Sequence, residues 1–157
     1  MQTTVTVTVV GTQPGQVRAT AVFKFDAGDD HGQRSLDLAA VIKVPFVQLV
    51  GSPALNFGVL EPGARKTLSV TLSNPGLVDA AFELDAGDVV SPALSVSPTS
   101  GTVRANGGQQ QLQVTYTAPA PGDETHESYL VRVSHGNTLR LDCVANAARP
   151  RVTLSGR

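Results

Sequence analysis

The sequence predicts an all-β chain, a sandwich of short strands, on three observations. Apolar and polar residues alternate with a period of two in run after run, from Val5, Val7 and Val9 through Leu68, Val70 and Leu72 to Leu139, Leu141 and Cys143. Fifteen glycines and ten prolines punctuate the chain, many of them between these runs, where turns need them. The runs are rich in Val and Thr, whose branched side chains suit a pleated surface. No stretch predicts a helix.

Composition narrows the function classes. At 157 residues and 41% hydrophobic, the chain can bury a core of ordinary domain size. Trp is absent and aromatics make up 4%, so that core is aliphatic. A net charge of -1 with 16% charged residues offers no footprint for nucleic acid or an anionic membrane. Cys143 is the single cysteine, which excludes an internal disulfide. No run approaches membrane-spanning length, and no charged start followed by an apolar run resembles a signal peptide.

Taken in order, the chain predicts a strand at Val5–Val10, a turn at Thr12–Gln16, and a strand at Ala19–Phe25. A polar hairpin tip at Asp26–Gly32 follows, then a strand at Ser35–Ile42. Pro45 marks an edge or the start of a strand, and Val47 and Leu49 alternate up to Gly51. Leu55 to Gly58 is a short apolar segment running into Glu61-Pro62-Gly63. Strand Thr67–Ser73 lies between that turn and Asn74-Pro75-Gly76, and both turns have the Pro-then-Gly order of type II. Further strands are expected at Ala80–Leu84, Leu94–Val96, Gln110–Tyr116, Tyr129–Ser134 and Thr138–Val144. Turns or loops fall at Asp85–Asp88, Pro98–Gly101, Asn106–Gly108, Ala118–Gly122 and His135–Asn137. From Pro45 to Ala148 this makes seven or eight strands at sandwich spacing.

An internal repeat sets the domain organisation. Ser35-Leu36-Asp37-Leu38 followed by Pro45-Phe46-Val47-Gln48-Leu49-Val50-Gly51 matches Thr138-Leu139-Arg140-Leu141 followed by Pro150-Arg151-Val152-Thr153-Leu154-Ser155-Gly156. The shared ending is Pro-x-Val-x-Leu-x-Gly. Val5–Val10 with Pro14-Gly15 aligns in turn with Gln113–Thr117 and Pro121-Gly122. Residues 1–44 therefore read as the last three strands of a preceding module. Residues 45–148 read as a complete module, and 149–157 as the first strand of a following one. A three-stranded remnant leaves Val5, Val7, Val9, Phe23, Phe25, Leu36 and Leu38 without a covering sheet.

Leu55-Asn56-Phe57-Gly58, Pro62-Gly63, Leu68 to Asn74, Phe82, Val96-Ser97-Pro98 with Gly101, and Val114 to Pro119 carry a resemblance. In this order the chain resembles the ASH/MSP/Hydin family of immunoglobulin-like domains. The resemblance implies tandem seven- or eight-stranded immunoglobulin-like sandwiches of ASH/MSP type. It implies no enzymatic activity, and a structural or scaffolding role in a cilium or flagellum axoneme, as in the Hydin-like branch. The partners it implies are axonemal or microtubule-associated proteins and neighbouring immunoglobulin-like modules of the same chain. Two alternatives stay open: a bacterial extracellular adhesive array, and a peptide-binding MSP-type module. For the latter, Arg65 and Lys66 supply little of the positive charge that a groove for acidic peptides requires.

No catalytic, cofactor-binding or metal site is assigned. His31, His126 and His135 lack partners at metal-ligand spacing and read as solvated loop residues. Asp26, Asp29, Asp30 and His31 gather oxygen ligands without the order of a calcium loop. Cys143 alternates with Leu139 and Leu141 as a small buried hydrophobe. Gly11–Gly15 and Gly107-Gly108 are turn glycines, because no helix follows to cradle a phosphate. Serines are plentiful, but none sits in a Gly-x-Ser-x-Gly elbow. Phe57 is expected to plug one end of the aliphatic core, so Phe57→Ala should cost about 3–5 kcal/mol in denaturant unfolding, and a loss below about 1 kcal/mol would place it outside the core.

Overall fold

The computed structural model describes residues 2–27, 30–87, 91–152 and 154–156. The chain divides into two compact units, Met1–Val44 and Pro45–Arg157. No helix occurs among the described residues.

In the first unit, β1 (Gly15–Ala27) and β2 (Asp30–Ile42) form an antiparallel hairpin running from Gly15 opposite Ile42 to Ala27 opposite Asp30. The predicted hairpin tip includes residues 28–29, which lie outside the described ones. Directly opposed residues share a face, so Val17, Ala19 and Ala21 align with Ala40, Leu38 and Leu36 on one apolar side. The opposite side is more polar, and Thr20 Oγ1 donates to Asp37 Oδ1 at 3.0 Å. The strand expected at Val5–Val10 does not form: residues 2–11 join no ladder, and Val5 remains 57% exposed.

The second unit holds nine strands among its described residues, one or two more than the sequence predicts. They are β3 (Gln48–Val50), β4 (Ala54–Leu60), β5 (Arg65–Asn74), β6 (Ala80–Asp85), β7 (Leu94–Ser97), β8 (Ser100–Val103), β9 (Gly108–Thr117), β10 (Glu124–Val133) and β11 (Thr138–Ala147). One sheet runs β4-β11-β10-β6-β8 and the other β3-β5-β9-β7. All pairs are antiparallel except β4 with β11.

The two unpredicted strands sit where the chain changes sheets. After β3 it turns through Gly51, with φ 96°, and re-enters as β4 beside β11. After β7, which pairs with β9, it passes the cis Ser97-Pro98 bond and becomes β8 beside β6. Residues expected to end a strand at Pro98–Gly101 instead start the next one.

Residues 2–11 pair with neither edge of the β1–β2 hairpin, which forms a two-stranded sheet of its own.

The core of the second unit is the space between its inner faces. Val47, Leu72, Leu112, Val114, Val131 and Leu141 are fully buried there. Phe57 from β4 is 1% exposed, and its ring centroid lies 5.7 Å from that of Tyr116 at 44°. The aromatic end-plug therefore has a partner on the opposing sheet.

Of the two Pro-Gly turns, one has the expected form. Ala64 N–H donates to Glu61 O at 2.9 Å, and Gly63 has φ 83°, as position three of a type II turn requires. The turn at Asn74-Pro75-Gly76 is built differently, because Gly76 has no positive φ. Fully buried Asn74 supplies the bonds instead: Oδ1 accepts from Gly76 N–H at 2.9 Å, and Nδ2 donates to Val78 O at 2.8 Å and Val103 O at 2.9 Å. Its backbone carbonyl accepts from Gly107 N–H at 2.7 Å. Asn74→Ala strands three backbone groups, so it should cost about 2–4 kcal/mol in denaturant unfolding; a loss within about 0.5 kcal/mol of zero would remove this role.

Candidate interaction surfaces

The leading segment of the second unit is held by side-chain amide bonds as well as by a ladder. Val47 N–H donates to Asn137 Oδ1 at 3.0 Å, and Asn137 Nδ2 donates back to Val47 O at 2.7 Å. Asn137 stands in the β10–β11 turn, next to Gly136. A Cβ on Gly136 would lie 2.3 Å from Pro45 O, so the close approach of the two backbones requires glycine there. Lys66 Nζ donates to Phe57 O at 3.1 Å, linking β5 of one sheet to β4 of the other. At the far end, Gly122 N–H donates to Ala147 O at 2.7 Å and Ala147 N–H to Asp123 O at 2.9 Å. The module's first and last strands are therefore both fixed, which is what a chain entering and leaving a sandwich needs.

The two outer faces differ in chemistry. On the four-stranded sheet, cross-strand rows read Ser95–Thr115–Thr67, Ser97–Gln113–Ser69 and Gln111–Thr71–Val50. These rows contain no charged side chain, and the Thr67 and Thr115 hydroxyls lie 2.8 Å apart. On the five-stranded sheet, Arg132 Nε meets Asp85 Oδ2 at 2.9 Å and Arg140 Nε meets Asp142 Oδ1 at 2.7 Å. Ser128 Oγ joins the second pair, donating to Asp142 Oδ1 at 2.6 Å and accepting from Arg140 Nη2 at 3.0 Å. The Gly87 N–H, followed by Arg132, holds the Asp85 carboxyl below its usual range. Ser128, followed by Arg140, does the same for Asp142.

The residues weighed in the sequence fall as follows. His126 is exposed and lies 2.8 Å from Glu124 Oε1. His135 is exposed and has φ 57°, the backbone of the β10–β11 turn. Asp29 and the side chains of Asp30 and His31 lie outside the described residues. Among the described residues, no three His, Cys, Asp or Glu side chains gather where they could hold a metal ion. Tyr116 Oη is buried without a hydrogen-bond partner. Arg65 and Lys66 are exposed at the start of β5, with the Lys66 amine directed to the Phe57 carbonyl. The sequence places Asn137 in a turn and Asn74 at a strand end that opens one. Their position in turns was the sole signal for their bonding roles.

Cys143 is 1% exposed, and burial pushes its thiol up to about 12. The thiolate is the reactive species, so folded protein should resist alkylation from pH 7 to 9 and react only as it unfolds. Iodoacetamide labelling followed by mass spectrometry along a urea titration should track the unfolding curve. Complete labelling in native buffer within minutes would contradict this burial.

Comparison with known proteins gives the fold a place. No family model matches the chain. Over 122 residues, 76% of the chain, it is 27% identical to cilia- and flagella-associated protein 65 of Chlamydomonas reinhardtii, and it spans 6% of that protein's length. The ASH/PapD-like domain 7 of human CEP192 superposes with TM-score 0.58 at 20% identity, covering 67% of this chain and 87% of that one. A putative carbohydrate binding protein from Bacteroides ovatus superposes with TM-score 0.53 at 11% identity, covering 67% of this chain and 38% of that one. The fold is the immunoglobulin-like sandwich of ASH/PapD-like domains, as the sequence motifs imply. The chain is distantly similar to a ciliary protein.

Proposed function

We propose that this chain is a non-enzymatic segment of a tandem immunoglobulin-like array in a ciliary or flagellar protein, where it serves as structural scaffold. The observation that carries the reading is the similarity to cilia- and flagella-associated protein 65, whose alignment is longer than residues 45–148 alone. In this reading residues 1–44 close a preceding module, 45–148 form a whole one, and 149–157 begin the next. Partners are neighbouring modules and axonemal or microtubule-associated proteins, met along sheet edges and loops.

The architecture supports the reading through its ends. The Asn137 amide bonds to Val47 and the Gly122–Ala147 and Ala147–Asp123 bonds fix both termini of the module. Links of only a few residues would restrict bending between neighbouring modules of such an array. The test is fractionation of cells carrying the epitope-tagged protein at its native level. Retention in detergent-extracted axonemes, persisting through a high-salt wash, is expected; recovery from the culture medium or the membrane-and-matrix fraction would sink the proposal.

A further inference from the structure

Among the described residues, the sheets of the second unit end in four edge strands, β4 and β8 on one, β3 and β7 on the other. β3, β7 and β8 run for three, four and four residues, whereas β4 runs for seven. A strand at the edge of a sheet is a template for pairing with another chain, and brevity, lysine, proline, bulges and inward-pointing charge are the usual protections. β4 is not brief, and its sequence Ala-Leu-Asn-Phe-Gly-Val-Leu holds no lysine or proline. A second anomaly lies across the sandwich. Alternation along β5 puts Lys66 in the same series as Leu68, Val70 and Leu72, where an apolar side chain belongs.

β4 runs beside β11, with Asp142 N–H donating to Pro53 O and Ala148 N–H to Leu60 O at its two ends. Between them the register slips. Asn56 faces Val144 and Gly58 faces Ala145, leaving Phe57 as the extra residue of a bulge, with Gly58 at φ 75°. Both ends of the Phe57–Gly58 peptide are held by side chains: Gly58 N–H donates to Asn56 Oδ1 at 2.8 Å, and Phe57 O accepts from Lys66 Nζ at 3.1 Å. The C=O and N–H of a trans peptide point opposite ways, so this peptide is clamped from two sides and offers neither group to a further strand. Pro53 O faces β11, so the Ala54 N–H of the same peptide faces away from it, and Ser52 Oγ accepts from that N–H at 3.2 Å.

We propose that Ser52, Asn56 and Lys66 close the β4 edge to strand addition, so that partners of the second unit pair elsewhere. The lysine that β4 lacks is supplied from β5 of the opposing sheet, which accounts for a cation in the apolar series. A strand docking on β4 has to displace a charge-assisted bond and straighten a bulge whose glycine holds positive φ. These bonds lie wholly within the second unit, so the inference does not rest on the array reading.

The test compares the 157-residue chain with its Asn56→Ala/Lys66→Met, Lys66→Met and Lys66→Arg variants. Methionine is close in length to lysine and carries no charge. Sedimentation velocity should show the double variant self-associating at least about tenfold more tightly than wild type. Lys66→Met should do so to a smaller extent, and Lys66→Arg should match wild type, because a guanidinium can still donate to Phe57 O. Hydrogen exchange of the Ala54–Leu60 amides should slow as the double variant is concentrated. Near-ultraviolet dichroism from Tyr116 and Tyr129 checks the fold. Lys66→Met decides by itself if the double variant fails that check, because Lys66 is exposed and its loss empties no core position. A purely structural role for these bonds predicts lower stability with no association. Folded variants that associate no more than wild type therefore overturn the proposal, as does association that leaves exchange of the Ala54–Leu60 amides unchanged.

Discussion

A sheet made from period-two sequence has an apolar face that needs a covering sheet and backbone edges that need partners. The second unit meets both needs. Leu72 on β5 and Leu112, Val114 and Tyr116 on β9 meet Val131 on β10 and Leu141 and Cys143 on β11, and every one of these side chains is buried. The first unit meets neither need in full. Its hairpin turns Val17, Ala19, Ala21, Leu36 and Leu38 to one side, and Leu36 stays 50% exposed. The same rule therefore yields a packed sandwich in one unit and a hairpin with a half-exposed apolar side in the other.

Covering a face forces the chain to leave one sheet and join the other, and each departure interrupts a ladder. Asparagine repairs several of these interruptions. Asn74 bonds Gly76, Val78 and Val103 at the end of β5, Asn137 brackets the Val47 backbone, and Asn56 Oδ1 accepts from Gly58 N–H at 2.8 Å within β4. A side-chain amide has the donor and acceptor of a peptide group on a short tether, so it can stand in for a strand that has ended. Buried backbone groups left unpaired would each cost on the order of 1–3 kcal/mol, comparable with the loss of a large core side chain. The switch points are thus held by polar bonds as firmly as the centre is held by apolar contact.

Much of this was legible in the residues. Alternation located β5, β6, β7, β9, β10 and β11, and the aliphatic core with Phe57 at one end followed from composition. What was hidden is equally physical. β4 contains Asn56 and Gly58 and reads as a short apolar segment, while the Ser-Gly that opens β8 reads as the end of a turn; the strand state of both depends on edges offered by β11 and β6. Val5–Val10 failed in the opposite sense, having strand propensity and no ladder. Asn74 looked like part of a type II turn because Pro75-Gly76 suits one, yet its buried amide outcompeted that geometry. Local pattern reports what a segment can do, and pairing partners far along the chain decide what it does. No chemical site was assigned from sequence, and the features that stand out in the structure are bonding roles of turn residues.

The electrostatics shape how the module can be recognised. The five-stranded face carries neighbouring opposite charges, Asp85 with Arg132 and Asp142 with Arg140, while the central rows of the four-stranded face carry none. Exposed pairs of this kind add little to stability, but they cancel each other's field at a distance of a few ångströms. These paired charges and uncharged rows give an approaching molecule little long-range steering. Affinity then has to come from short-range terms: backbone pairing at an open edge, hydroxyl and amide bonds, and burial of isolated valines and leucines. Those terms reward partners that present the same kind of surface, such as a neighbouring module, and they persist at ionic strengths that would dissolve a charge-driven contact.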